Sequence, residues 1–200
     1  PKIPVRQKDM TFLIEVRRKK KISVDALIEK LYRTEGKAEI VNGRVIKLEM
    51  ESCSPNKAKS NIQMSLHKYQ KEYANGFVVG SLVAFIVELP HIKSFSPSVS
   101  FHTGERTGME FLQGAPIFAV EVRSENDYGK KADEAIKQKR DDYFAAGTKV
   151  VWDVDLLGEN VIKSYSSENT DTPQIFKRGE IAKTQSALPN WTFAVDELFE

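Results

Sequence analysis

A carboxylate inside an apolar run is the first sign of chemistry in this sequence. Glu121 interrupts the run "IFAVEV", residues 117–122, which is otherwise typical of a buried β-strand. An ionised carboxylate that leaves water without a partner loses several kcal/mol of solvation free energy. The position therefore requires a cation, a metal ion or dense hydrogen bonding.

A lysine in the following segment is one candidate partner. Residues 130–147 show an apolar stripe at helical spacing that includes Ile136 and Tyr143, and Lys139 falls inside that stripe. Because a crossover helix packs on the sheet that it leaves, we expect Lys139 and Glu121 to meet over one face. Side-chain alternation places Arg123 on the same side of the strand, as a second cationic neighbour.

Two interpretations of Glu121 and Lys139 stay open from these residues alone. In the first, they form a buried ion pair that adds little net stability but must stay intact. In the second, they belong to a divalent-metal site, where a hard cation takes carboxylate and backbone oxygens and a lysine positions the nucleophile or stabilises developing charge. The histidines and serines show no zinc spacing, acid–base dyad or nucleophile triad.

Local patterns predict the elements that position these residues. Ser23 or Asp25 caps a short amphipathic helix that ends near Gly36, and Asn42-Gly43 predicts a two-residue hairpin turn. A long helix follows within residues 54–76, closed by Asn75-Gly76.

The second half of the chain predicts a strand–helix–strand unit. A short strand at 97–101 precedes the Glu121 strand, whose helix ends at Gly147 and leads directly into "TKVVWDVD". Short joints between these elements are the signature of a right-handed parallel crossover, with Trp152 filling the core. The predicted fold class is therefore α/β.

Composition sets the broad class. The 200 residues are 40% hydrophobic and 29% charged, which predicts one domain over 1–200, with 1–22 as an N-terminal extension. The formal net charge of +2 does not indicate a polyanion partner, and the basic run Val16–Lys21 is typical of a solvated segment. One cysteine, Cys53, and the lack of a long apolar run predict a cytoplasmic protein without a membrane span.

The region around Glu121 resembles a known family, the Uma-two family of putative restriction endonucleases in the PD-(D/E)XK nuclease superfamily. The resemblance extends over roughly residues 24–199, including the hairpin around Asn42-Gly43 and the closing "LPNWTFAVDELF". The matching positions are Glu121-Val122-Arg123-Ser124, then Lys139, Tyr143 and Gly147, then Trp152 and Asp155.

The resemblance implies a restriction-endonuclease-like mixed β-sheet flanked by helices, with a site that binds Mg²⁺ or Mn²⁺. Carried over by position, Glu121 is a metal ligand, the Val122 backbone carbonyl is a further ligand, and Lys139 is the catalytic lysine. Glu39 is the weaker candidate for an outer carboxylate. Arg123 occupies the strand position where other superfamily members keep their lysine; a permanently protonated guanidinium suits phosphate neutralisation rather than base catalysis.

One position departs from the family pattern. The family places a metal-binding aspartate after a proline on the preceding strand, whereas this chain reads "FSPSVSF", with Ser98 after Pro97. A serine hydroxyl is a neutral and poor ligand for Mg²⁺. A natural degenerate copy, a deliberate inactivation and the recruitment of Glu39 all account for Ser98.

The resemblance thus implies a metal-dependent DNA endonuclease that Ser98 weakens or inactivates, acting on DNA and expected as a homodimer. The alternative of a different class is a non-catalytic module on the same fold that binds nucleic acid or a protein partner. In that case, Glu121 and Lys139 remain a structural ion pair.

Overall fold

The computed structural model describes residues 22–73, 75–184 and 186–200. The basic run Val16–Lys21 and all but the last residue of the predicted extension lie outside the described residues. That residues 1–200 form one domain stays a prediction. Among the helices in the described ranges, none is long and apolar enough to cross a bilayer.

Helix α1 spans Val24–Tyr32, α2 spans Cys53–Tyr73 and α3 spans Lys130–Ala145, and a 3₁₀ turn lies at Val195–Phe199. The strands in chain order are β1 Ala38–Val41, β2 Arg44–Lys47, β3 Phe77–Gly80, β4 Phe85–Ile86, β5 Ser94–Phe95, β6 Val99–His102, β7 Leu112–Gln113, β8 Phe118–Val122, β9 Val150–Val154, β10 Ile162–Ser166, β11 Asn169–Phe176, β12 Ile181–Lys183 and β13 Thr192–Ala194.

The N-terminal elements follow the local signals. Helix α1, Val24–Tyr32, begins after Ser23, whose side-chain oxygen accepts a hydrogen bond from the Ala26 amide at 3.2 Å. Strands β1 and β2 pair around Asn42 and Gly43, whose positive φ angles of 48° and 69° suit a tight hairpin turn. Of the two predicted caps, Ser23 is confirmed, whereas Asp25 lies in the first turn of the helix; the predicted hairpin is also confirmed.

A six-stranded mixed sheet forms the centre, in the order β11-β10-β9-β8-β6-β3. All neighbouring pairs in it are antiparallel except β8 and β9, which are parallel and joined by helix α3. The predicted crossover is therefore confirmed, as is the α/β class. Gly147, with φ of 108°, ends α3 in the left-handed conformation.

The two faces of this sheet have different partners. On one face, Val120 packs with Leu66 of the long helix α2 and with the fully buried Trp152. On the other face, Ala119 packs with Tyr143 of α3. Since side chains alternate along β8, Glu121 lies on the α3 face.

Candidate functional site

Lys139 lies between two glutamates. Its Nζ is 2.9 Å from Glu121 Oε1 and 3.0 Å from Glu39 Oε1. These carboxylates come from β8 and from the β1 hairpin, which lie far apart in sequence. The pairing of Glu121 with Lys139, expected from the sequence, is thus present, and Glu39 joins it.

Glu121 has two further partners. The Tyr143 hydroxyl donates to Oε1 at 2.6 Å, and the Ser98 hydroxyl donates to Oε2 at 3.3 Å. Ser98 Oγ also accepts a hydrogen bond from the Val122 amide at 3.2 Å. Each oxygen of Glu121 therefore has a donor within the protein, and Ser98 stands beside it.

Glu39 anchors the hairpin to the site. The Ser96 amide donates to Glu39 Oε1 at 2.7 Å, and the residue is only 6% exposed. Strand β1 is held nearby by the Ser94 hydroxyl, which accepts from the Ile40 amide at 2.8 Å. The hairpin thereby delivers a second buried carboxylate to the Lys139 ammonium.

Glu39, Glu121, Lys139 and Tyr143 form one cluster, and electrostatic interactions set the protonation states of Glu121, Lys139 and Tyr143. Burial raises the pKa of Glu121, but the Lys139 and Lys37 cations and the Tyr143 hydrogen bond outweigh it and leave this pKa lowered. Burial lowers the pKa of Lys139, but Glu121 and Glu39 outweigh that effect and leave it raised. Burial and the neighbouring carboxylates raise the pKa of Tyr143 well above its ordinary value. At neutral pH, Glu121 is ionised, Lys139 is protonated and Tyr143 is a neutral donor.

Arg123 points to other partners. Its Nε and a terminal nitrogen each donate to one Asp153 carboxylate oxygen at 2.8 Å, a bidentate pair, and the other terminal nitrogen donates to Asp133 at 2.7 Å. The residue is 9% exposed. Among the described residues, no direct contact joins its guanidinium to Glu121, so Arg123 ties β8 to β9 and α3.

The implied metal can be tested against these donors. The described residues contain no group of three or more histidine, cysteine, aspartate or glutamate side chains placed to hold a metal ion. Glu121 and Glu39 already surround the Lys139 ammonium, and Ser98 offers a neutral hydroxyl. Beyond these, the resemblance offers only the Val122 carbonyl. This set does not fit Mg²⁺ or Mn²⁺, which rely on carboxylates with open coordination positions.

Of two adjoining cavities beside the hairpin, the first opens on the cluster. One, of about 310 Å³, is lined by Ser98, Glu121, Val122 and Lys139 among others. The other, of about 480 Å³, runs along the hairpin to the start of α2. Both are also lined by Lys37. We call the pair the hairpin groove.

Sequence reasoning missed Lys37, Lys59 and the role of Tyr143. Lys37 precedes Glu39 by two residues, so strand alternation would have placed it on the same face. Tyr143 follows Lys139 by four residues and lies one helical turn away. Lys59, which is 5% exposed and pairs with Glu51, shares a stripe of α2 with Ile62 and Leu66.

Comparisons with known proteins give a family and a shared fold for this chain. The family model described as "Uma2: Putative restriction endonuclease" matches residues 25–196. Among solved structures, the chain is similar to a putative nuclease belonging to DUF820 from Anabaena variabilis ATCC 29413. The sequence identity is 14%, the TM-score is 0.67, and the match covers 86% of this chain and 97% of that chain. No curated protein matched. The structural likeness shows that this chain shares its fold with that putative nuclease.

Proposed function

Because this chain belongs to the Uma2 family of putative restriction endonucleases, we propose that it binds DNA at the Glu121–Lys139 cavity and that Ser98 disables its metal-dependent phosphodiester hydrolysis. In this proposal, the protein retains the fold and the DNA-binding role of a nuclease. It places the loss of activity at one missing carboxylate.

The observation that carries this proposal is the position of Ser98. Its hydroxyl lies 3.3 Å from Glu121 Oε2, and its amide donates to the Val120 carbonyl at 3.0 Å, so residue 98 is fixed beside the glutamate strand. A carboxylate introduced there would stand next to Glu121. In phosphoryl-transfer sites, Mg²⁺ is usually bound by one or two carboxylates together with water and substrate phosphates, and an aspartate at position 98 would add a carboxylate beside Glu121.

The remaining groups suit phosphodiester chemistry without supplying a metal site themselves. Lys139 is a protonated ammonium at the cavity, able to stabilise negative charge on a phosphate. In the present chain, Glu39 and Glu121 neutralise that ammonium. With this ammonium neutralised and one carboxylate missing, we expect the unmodified protein not to cut the DNA that it binds.

Nicking of supercoiled DNA in Mg²⁺ and in Mn²⁺ tests the proposal. We expect no nicking by the unmodified protein and metal-dependent nicking by Ser98→Asp. The double variant Ser98→Asp, Lys139→Ala should lose this nicking activity. Ser98→Asn is the matched control, because it has nearly the shape of aspartate without the charge. Thermal unfolding and DNA binding of each variant establish that it is folded.

A folded, DNA-binding Ser98→Asp protein that does not nick DNA in either metal would contradict the proposal. That result would favour the alternative, a non-catalytic module. The pairing of Lys139 with two carboxylates supports this alternative. Calorimetry with Mn²⁺ adds a direct readout, since Ser98→Asp should gain metal binding that Glu121→Gln removes. The homodimer and the cytoplasmic location stay predictions.

A further inference from the structure

We propose that the Lys37 ammonium binds a phosphate group of DNA in the hairpin groove, next to the Glu121–Lys139 cluster. The inference rests on the proposed DNA binding and names a residue that contacts the backbone. It assigns a binding role to a side chain outside the carboxylate and lysine positions of the family motif.

The fold places Lys37 at the centre of the groove. It lines both cavities, which also share Leu48, Glu49 and Glu51. Its backbone carbonyl accepts a hydrogen bond from the Leu48 amide at 2.9 Å, which extends the β1–β2 pairing and fixes the start of the side chain. The residue is half-buried, so its stem packs against protein while the groove remains open to it.

Within the part of the chain that the structure describes, the Lys37 ammonium has no ion-pair partner, unlike the neighbouring Lys139 and Lys59. Lys139 pairs with Glu39 and Glu121, and Lys59 pairs with Glu51. Over the described ranges, Lys37 makes neither an ion pair nor a side-chain hydrogen bond. A half-buried ammonium at a groove is an unused donor of up to three hydrogen bonds, which a phosphate oxygen can accept.

The acidic residues of the groove are largely committed elsewhere. Glu51 pairs with Lys59, Glu49 accepts a hydrogen bond from Asn126 at 2.7 Å, and the Asp127 carboxylate accepts from the Ser124 amide and hydroxyl at 2.7 and 2.9 Å. Glu35, at the outer end of the groove, is exposed to water. Among the described residues, the groove therefore has two lysines without an ion pair, Lys37 and Lys47, and of these two Lys37 is half-buried whereas Lys47 is exposed.

Duplex DNA binding as a function of salt tests this contact. For Lys37→Gln, we expect affinity to fall about tenfold at about 50 mM salt, and the slope of log K against log salt to become shallower by about 0.9. Lys37→Arg should retain most of the affinity. The control is Lys68→Gln on the exposed side of α2, twelve residues or about 18 Å along the helix from Asn56 in the groove.

Equal affinities and slopes for Lys37→Gln and Lys68→Gln would overturn the inference. Failure of the unmodified protein to bind any duplex would instead contradict the proposed function. Inorganic phosphate then decides whether the site takes free phosphate. Phosphate that raises the Tm of the unmodified protein more than sodium chloride of equal ionic strength, and does not do so for Lys37→Gln, supports a phosphate site at Lys37; no such difference overturns it.

Discussion

At the scale of single residues, the site is governed by one ammonium shared between two buried carboxylates. The side chains of Glu39 and Glu121 are 8% and 20% exposed, and that of Lys139 is 24% exposed. The three charged groups are stable together because their mutual attraction and hydrogen bonds replace the solvation that each group loses on leaving water. Removing the cation would leave two carboxylates facing each other in a poorly solvated cavity.

Lys139→Met should therefore destabilise the protein by about 3 kcal/mol, because it strands two largely buried carboxylates. Urea unfolding at neutral pH measures this loss. Lys137→Met, two residues away on the same helix, removes an exposed pair with Asp141 and should cost less than about 0.5 kcal/mol. Equal costs for the two variants would contradict this account of the cluster.

The lowered pKa of Glu121 links the cluster to pH. A carboxyl group whose folded pKa lies below its unfolded value, about 4.3 for glutamate, adds stability above that value and loses it as pH falls through the folded pKa. Glu121→Gln should therefore be less stable than the unmodified protein at pH 7. Its free energy of unfolding should also decline less steeply below about pH 4.3.

The pH dependence is measured by urea unfolding at a series of pH values. Glu134→Gln, on the exposed side of α3, is the control and should follow the unmodified protein. If the free energy of unfolding had the same pH dependence in Glu121→Gln and in the unmodified protein, the neighbouring cations would not be lowering the pKa of Glu121.

At the scale of elements, Arg123 joins three of them. It leaves β8, pairs with Asp153 on β9 and reaches Asp133 in the first turn of α3. The side chains of Arg123 and Asp153 are 8% and 4% exposed, so this pair lies in a region with little water. The guanidinium holds the parallel strands and the start of the crossover helix in one arrangement, while Glu121 faces the cavity.

Arg123→Lys should lose about 2 kcal/mol of stability, because a lysine cannot reproduce the bidentate pair with Asp153. Arg123→Met should lose more, about 4 kcal/mol, since Asp153 would be left buried without a cation. Chemical unfolding measures both values. Arg33→Lys, in an exposed pair with Glu29, is the control and should change stability by less than about 0.5 kcal/mol.

DNA binding separates this structural role from a phosphate role for Arg123. Under conditions where the Arg123→Lys protein is folded, its DNA affinity should equal that of the unmodified protein. Reduced DNA affinity with unchanged stability would assign Arg123 to the phosphate instead.

At the scale of the whole molecule, the C-terminal segment completes the core on the α2 side of the sheet. Trp191 is 5% exposed, and its ring centroid lies 5.2 Å from that of Trp152 and 5.5 Å from that of Phe118. Its indole nitrogen donates to the Ser65 hydroxyl of α2 at 3.2 Å. One side chain thus connects the last segment, the long helix and two central strands.

Trp191→Ala should lower the free energy of unfolding by about 4 kcal/mol, because it leaves a large cavity among aromatic rings and an unpaired Ser65 hydroxyl. Thermal and urea unfolding followed by circular dichroism measure the loss. Leu157→Ala is the control, because its side chain is 79% exposed and should contribute less than about 0.5 kcal/mol. Similar values for the two variants would exclude this segment from the stabilising core.

The sequence alone determined the local elements and one long-range pairing. A helix start at Ser23 or Asp25, the Asn42-Gly43 turn, the β8–α3–β9 crossover and the pairing of Glu121 with Lys139 follow from local signals and from the packing of a helix on the strand that it leaves. These relations connect residues that are neighbours along the chain or joined by one short connection. Local rules are therefore sufficient for them.

Only the tertiary structure decided the rest of the site. That Glu39 reaches Lys139, that Ser98 stands beside Glu121 and that Lys37 lines the same groove all depend on how the β1–β2 hairpin packs and on β6 lying next to β8. Arg123 likewise pairs with Asp153 rather than with Glu121, because β9 places the Asp153 carboxylate beside the Arg123 guanidinium. Strand order and hairpin docking depend on how much apolar surface the whole core buries. That total cannot be calculated from any short stretch of sequence.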